Sequence, residues 1–167
     1  MILPKVREPR LITIRRGGTL TDADHRALAL WAASCAEHVL PYFLAAQPSD
    51  DRPAAAIEAA RRWAGGDLPM MAARAIGGHA MGAARPLRGA PRFAAYAAGQ
   101  AACVAHVPEH DLGAAAYAIK AVQAAAGPGA GRSERDWQRK QLPHPLRDLV
   151  IEDQVRRNDI CWSVFDD

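Results

Sequence analysis

The sequence is poor in several residues and motifs that usually mark an active site. It contains only three cysteines, Cys35, Cys103 and Cys161, and no two of them form a C-x-x-C pair. Isolated thiols among apolar neighbours are usually core residues of a protein in a reducing compartment. None of the four serines lies in a G-x-S-x-G motif, which disfavours a serine hydrolase. The chain also lacks G-x-x-x-x-G-K-S/T and a G-x-G-x-x-G that follows a strand, which disfavours the common modes of nucleotide binding.

No targeting signal or membrane span is recognisable in the sequence. The N-terminus lacks the charged-then-apolar pattern of a signal peptide. No window of about 18 residues is apolar enough to span a bilayer, because glutamine, histidine and glycine interrupt the alanine runs. We therefore expect a soluble, cytoplasmic protein that does not contact a membrane.

Charge is slight overall and uneven along the chain. The formal net charge is +3, and lysine is scarce, with three residues against 18 arginines. Only Glu8 opposes the basic residues of the first sixteen positions, and no aromatic residue stands among them for base stacking. This pattern favours a solvated edge or tail over a nucleic-acid-binding arm, so nucleic acid is not an expected partner. The basic residues are Lys5, Arg7, Arg10, Arg15 and Arg16.

Alanine is the abundant residue, with 37 copies between Ala23 and Ala130. It loses the least entropy in a helix and lets helix backbones approach closely. The sequence therefore predicts an all-α fold. We expect an extended N-terminal arm, residues 1–18, and a single compact domain, residues 19–167, of six to seven mostly antiparallel helices.

Helix-capping residues divide this domain. Thr21 is expected to cap a first helix, Asp22 to Ala46, with Leu28, Ala32, Cys35, Val39 and Phe43 as its core stripe. A second helix follows Ser49-Asp50-Asp51. A third begins after Asp67, and its three glycines predict a close helix crossing or a local break. Pro108 marks a turn, or more readily a kink or tight joint, between the fourth and fifth helices, 92–107 and 109–126. Residues 127–132 read as a flexible linker before a sixth helix capped by Ser133, and a seventh helix covers about 146–158.

The strongest candidate site depends on a helix that continues through Pro108. His106, His110, Tyr117 and, slightly aside, Lys120 would then share one stripe among small residues, which leaves room for a ligand. His106, His110 and Tyr117 are the candidate catalytic residues, because neutral histidine carries protons near its working pH. No carboxylate or thiol at a fixed short distance completes a tetrahedral set around the two histidines, so a metal is not expected. No other cofactor is expected.

Two further groups of residues are candidates for binding. His38 and His79 lie on otherwise apolar helix faces and could converge with His106 and His110 on one pocket. Glu37, Asp51 and Arg52 cluster around the first helical hairpin, where Trp31 or Trp63 could anchor a partner. The alternative for this cluster is helix capping and surface ion pairs, each of which contributes little to stability.

Four segments, in order, carry a family resemblance: WAASCAEHVLPYF, DDRPAAAIEAARRWAGG, AHVPEHDLGAAAYAIKAV and DWQRKQLPHPLRDLV. They are similar to the immunity protein 5-like family of actinobacteria and other bacteria, from about Arg10 to Phe165. The resemblance implies a cytoplasmic immunity factor that covers the active surface of a toxin. It supplies no active-site residues to carry over.

Two functions of different classes therefore stand beside each other. The first is an immunity-type protein that neutralises a toxin or toxic compound by sequestration. The second is a small-molecule-binding self-resistance protein, or a cofactor-free acid–base enzyme of bacterial secondary metabolism, with a His/Tyr-lined pocket between helices. The partner is accordingly a cognate toxin or a small-molecule ligand, and a homodimer is left open.

Overall fold

A computed structural model describes residues 2–167 of the chain. Within this range the fold is all-α, as predicted, with seven α-helices and no strand. Its helices enclose one large apolar core. The helices are α1 (Asp22–Ala46), α2 (Arg52–Ala64), α3 (Met70–Ala84), α4 (Gly89–Cys103), α5 (His110–Ala126), α6 (Pro128–Lys140) and α7 (Arg147–Arg156), with short 3-10 turns at Pro9–Leu11, Ile14–Arg16 and His144–Leu146.

Helix α1 begins and ends where the sequence predicts. The Thr21 hydroxyl accepts a hydrogen bond from the Asp24 backbone N–H at 3.1 Å, and Asp22 and Asp24 place negative charge in the first turn. All five residues of the predicted core stripe are fully buried. Helix α1 contacts α2, α4 and α5, so it is a central helix of the fold.

The length and hydropathy of α1 are sufficient for a membrane span, by composition alone. The prediction that no window is apolar enough was therefore wrong for this helix. Half of that window, 50%, is buried inside the protein. Its apolar residues include Leu28 and Val39, which belong to the core. A core helix of a soluble protein and a signal sequence near the N-terminus both meet the same criterion.

Helices α3 and α4 cross at a pair of glycines. A Cβ atom added to Gly77 would lie 2.7 Å from the carbonyl oxygen of Gly99, and one added to Gly99 would lie 2.4 Å from Cγ of Met81. Of the two alternatives for the glycines of α3, a close crossing or a local break, the structure has the close crossing. Helix α3 is continuous through Gly77, Gly78 and Gly82.

A turn, residues 104–109, separates α4 from α5, so the kinked continuous helix was wrong. The His110 N–H donates to the Val107 carbonyl at 3.1 Å, and the chain then returns along α4. Pro108 lacks an N–H and disfavours helical geometry in the residue before it, which explains the break. The pairing of Gln100 with His110 and of Tyr96 with Tyr117 shows that α4 and α5 are antiparallel.

Helix α6 begins earlier than the sequence predicts. It starts at Pro128, so residues 128–132 are its first turn and the predicted linker and Ser133 cap were wrong. Gly127, with φ +87°, reverses the chain immediately after α5. A proline at the first helical position loses no hydrogen bond, because that N–H has no partner inside the helix.

Buried charges join the N-terminal segment to the end of the chain. The Arg157 guanidinium is 1% exposed and donates to Asp153 Oδ2 at 2.9 and 2.5 Å and to the Glu109 carbonyl at 2.9 Å. The Glu109 side chain, 0% exposed, in turn accepts two hydrogen bonds from Arg7, at 2.8 and 2.6 Å. This network fixes Arg7 beside the α4–α5 turn.

Candidate functional site

The basic N-terminal segment packs on the helices through the buried Leu11, and with its exposed arginines it forms one wall of a cleft of about 430 Å³, here called the arginine cleft. The second wall is the first turns of α1, and the floor comes from the α2–α3 connection and the α4–α5 turn. Four arginines line it: Arg7, Arg15, Arg16 and Arg26.

The arginine cleft holds more positive than negative charge. Arg7 is paired with the buried Glu109, and Arg15 donates to Asp22 at 2.8 Å. Arg16 and Arg26 are exposed, and neither contacts a carboxylate within residues 2–167. Arg16 and Arg26 therefore line the arginine cleft as two cations without a carboxylate partner.

The floor of the arginine cleft is apolar. Trp63 is half-buried there, beside Leu68, Met70 and Ala105. Its ring lies 4.6 Å, centroid to centroid, from the buried imidazole of His25. The Nε2–H of His25 donates to the Val104 carbonyl at 2.6 Å, which holds this ring in place. The Trp63 ring is thus held in position by His25 and presents an aromatic surface to the cleft.

The two histidines of the arginine cleft contribute little charge. Burial lowers the pKa of His25, in spite of its hydrogen bond to Val104. Partial burial, and after it the nearby Arg74, Arg16 and Arg7, lowers the pKa of His106. Both imidazoles are therefore neutral at physiological pH, and the positive charge of the cleft is that of its arginines.

Helix α3 begins at the floor of the arginine cleft and adds to its positive potential. Its cap residue, Pro69, makes no side-chain cap hydrogen bond, and its first turn contains no acidic residue. The N-terminus of a helix carries a partial positive charge from its unpaired N–H groups. The start of α3 and the unpaired arginines therefore favour an anionic group at the same place.

The predicted stripe from His106 to Lys120 does not exist, because His106 lies in the turn and not on α5. His110 points to Gln100, with its Nδ1 2.6 Å from the amide oxygen, and burial lowers the pKa of His110 to about 4. Tyr117 stacks on Tyr96 with ring centroids 5.0 Å apart. Lys120 lies over the ring of Trp162, with Nζ 4.8 Å from the ring centroid. Only His106 of the candidate catalytic residues lines the arginine cleft.

His38 and His79 do not line the arginine cleft with His106 either. His79 is exposed on α3. His38 lines a separate, open cleft of about 540 Å³, here called the His38 cleft, beside Tyr42 and Trp137. Its Nδ1 is 2.7 Å from Glu134 Oε2, and its ring stacks on Trp137 with centroids 3.8 Å apart. The four candidate histidines, His38, His79, His106 and His110, therefore do not line one pocket.

The binding candidates around the first helical hairpin make local contacts. Glu37 accepts two hydrogen bonds from Arg61, at 2.8 and 2.6 Å. Arg52 donates to Asp50, whereas Asp51 makes no side-chain cap hydrogen bond. Trp31 is 2% exposed and donates its indole N–H to the Gln138 carbonyl at 2.9 Å, so it is a core residue with no surface for a partner.

Two residues of the arginine cleft, His25 and Arg26, were missed by sequence reasoning. Neither belongs to a motif, and they meet Arg7, Arg16 and Trp63 only through the fold. The described part of the chain contains no group of three or more histidine, cysteine, aspartate or glutamate side chains placed to hold a metal ion.

Comparison with known proteins gives a family and nothing finer. No curated protein and no solved structure matches the chain. The model of one protein family, described as "Imm-5 like putative immunity protein", matches residues 18–145, which is most of the sequence and includes α1 to α6. The chain therefore belongs to the Imm-5 like family of immunity proteins.

Proposed function

We propose that this protein is a cytoplasmic immunity protein of a bacterium, that it neutralises a toxin protein by sequestration, and that the arginine cleft is part of its binding surface. The observation that carries the proposal is the position of Arg16 and Arg26, exposed and without carboxylate partners, around the half-buried ring of Trp63. Arginine and tryptophan are the residues most often found at the energetic centre of protein interfaces.

The fixed geometry of the arginine cleft supports this role. Trp63 is held by His25, and Arg7 by the buried Glu109, so both side chains are ordered before a partner binds. A preorganised surface loses less conformational entropy on association, which favours tight binding. Unpaired arginines also accelerate the encounter with a surface of opposite charge.

The experiment is a binding titration against toxin domains encoded beside the gene. Each domain is purified and titrated with the wild-type protein, with an R16E/R26E variant, and with an R88E/R132E variant as control. Arg88 and Arg132 are exposed and lie outside the arginine cleft. The control therefore makes the same change in net charge without changing the cleft.

We expect one domain to bind and to lose its toxic activity in the complex. At about 1–2 kcal/mol for each arginine, R16E/R26E should weaken its binding roughly 30- to 1000-fold, with little change in the control. Failure of every neighbouring toxin domain to bind would contradict the proposal. Equal binding by R16E/R26E would place the interface elsewhere on the protein.

A specific observation also favours a second candidate, a small-molecule protein that uses the His38 cleft. Glu134 is 4% exposed and accepts the Nδ1–H of His38, which leaves Nε2 of the imidazole as an acceptor. A carboxylate that orients a histidine in this way suits proton transfer or ligand binding. Thermal-shift screening of small molecules tests it. A ligand that stabilises the wild type but not H38N supports this candidate, and the absence of any such ligand argues against it.

A further inference from the structure

We propose that the arginine cleft recognises an acidic segment of the partner protein, in which two carboxylates flank an apolar side chain that packs on Trp63. This inference rests on the proposed function, because it specifies the chemistry of the toxin surface.

The charge balance of the arginine cleft calls for two negative charges. Four arginines line it, and two of them are already neutralised, Arg7 by Glu109 and Arg15 by Asp22. Four cations less two anions leaves a surplus of two, on Arg16 and Arg26. The start of α3 adds a partial positive charge, and its first turn holds no acidic residue. Two carboxylates match this surplus.

The floor of the arginine cleft calls for an apolar group between those charges. Trp63, Leu68 and Met70 line it, and the neutral rings of His25 and His106 flank them. A bare anion such as phosphate would pair with the arginines but leave this apolar surface in water. A segment with a leucine or phenylalanine between two acidic residues would cover the floor and pair with both arginines.

The same features disfavour a nucleotide as the ligand. Nucleotide sites commonly cradle phosphate in a glycine-rich loop, and this chain has no such motif. His25 already packs against the ring of Trp63, and among the described residues no phenylalanine, tyrosine or second tryptophan lines the cleft to sandwich a base.

A surplus of positive charge in the arginine cleft restricts the kind of toxin surface that the protein can cover. An active site that binds nucleic-acid phosphates is itself basic. Arg16 and Arg26 would be repelled by such a surface, since like charges facing each other oppose association. The toxin face that this protein covers is therefore acidic, and it is not the phosphate-binding groove of a nuclease.

The test is a nuclear magnetic resonance titration of the full-length, ¹⁵N-labelled protein. The probes are the peptide acetyl-Asp-Phe-Asp-amide, its uncharged isostere acetyl-Asn-Phe-Asn-amide, adenosine monophosphate and inorganic phosphate, each to millimolar concentration. The chain has four tryptophans, so four indole N–H signals report on binding. Trp31 is buried and bonded to Gln138, and its signal is the internal control. Trp-to-Phe variants assign the signals.

We expect the acidic peptide to shift the Trp63 signal and to bind at least about tenfold more tightly than its isostere. The R16E/R26E variant should lose this binding, while R88E/R132E should retain it. Should R16E/R26E fail to fold, R16Q/R26Q gives the same test without charge reversal. Equal binding of the isostere, tighter binding of either phosphate compound, or shifts confined to other tryptophans would overturn the inference.

The outcomes separate this inference from the proposed function. If the acidic peptide binds at Trp63 but no toxin domain binds the protein, the chemistry of the cleft stands and the immunity role fails. If a toxin domain binds wild type and R16E/R26E equally well, the immunity role stands and the inference about the arginine cleft fails.

Discussion

A matched pair of glycine substitutions in α3 tests the helix packing on which the arginine cleft depends. Gly77 faces α4, where a new Cβ would lie 2.7 Å from the Gly99 carbonyl oxygen and 3.1 Å from Sγ of Cys103. The neighbouring Gly78 is exposed, and a Cβ there would meet nothing within 4 Å. Both positions are inside the same helix, so the higher helix propensity of alanine should stabilise the protein by about 1 kcal/mol at each position.

The difference between the two variants therefore isolates the cost of overpacking. Forcing a methyl group into a packed contact typically costs about 1–3 kcal/mol. We expect G78A to be more stable than wild type by up to about 1 kcal/mol. We expect G77A to be less stable than G78A by about 1–3 kcal/mol, and each kcal/mol corresponds to roughly 2–4 °C in Tm for a domain of this size.

Urea unfolding followed by circular dichroism measures both free energies of unfolding. If G77A and G78A are equally stable, within about 0.5 kcal/mol, α3 and α4 do not approach as closely as described, and the position of Pro69 and Met70 at the cleft is wrong as well.

Three further predictions concern the buried charged and titratable groups. Burial lowers the pKa of His110 to about 4 from 6.5, so the stability due to its neutral form is lost as pH falls from 6.5 towards 4. Urea unfolding across this range should show that the free energy of unfolding falls by roughly 3 kcal/mol, and by less in H110Q. If the free energy of unfolding of H110Q falls as steeply with pH as that of wild type, this prediction is contradicted. Burial raises the pKa of Asp111 to about 7 from 3.8, so the pH dependence has the opposite sign. The stability due to the neutral form of Asp111 is present below pH 3.8 and is lost as pH rises through 7. In the same urea unfolding assay, D111N should make this decline in the free energy of unfolding less steep. R157M leaves the Asp153 carboxylate buried without its cation and, above the pKa of Asp111, the Asp111 carboxylate as well. Measured above pH 7, it should lower the free energy of unfolding by about 3–5 kcal/mol, and a loss below about 1 kcal/mol would show that the network is not needed for folding.

Local signals in the sequence identify those parts of the fold that local interactions decide. The bounds of α1 follow from the Thr21 cap, and its buried face follows from the 3.6-residue spacing from Leu28 to Phe43. The start of α6 was missed, although Gly127 followed by Pro128 is a sequence signal for a helix start. Ser133 was favoured because of Asp136 three residues later, yet its hydroxyl bonds to the Gly129 carbonyl inside the helix.

The arginine cleft could not be predicted in the same way, because long-range contacts assemble it. Arg7 meets Glu109, 102 positions away in the chain, and Glu109 is buried by packing that no local pattern reveals. The basic N-terminal segment was interpreted as a solvated edge, since its own neighbours offer no aromatic residue. Trp63, at the end of α2, supplies that aromatic surface only once the helices are packed.

The affinity of R16E/R26E for the toxin domain that the wild-type protein binds tests the central claim most directly. Isothermal titration calorimetry of wild type, R16E/R26E and R88E/R132E against that domain gives three Kd values under the same salt conditions. A Kd raised roughly 30- to 1000-fold in R16E/R26E alone is the result that we predict. Three equal Kd values would show that the arginine cleft does not contact the toxin and would contradict the claim.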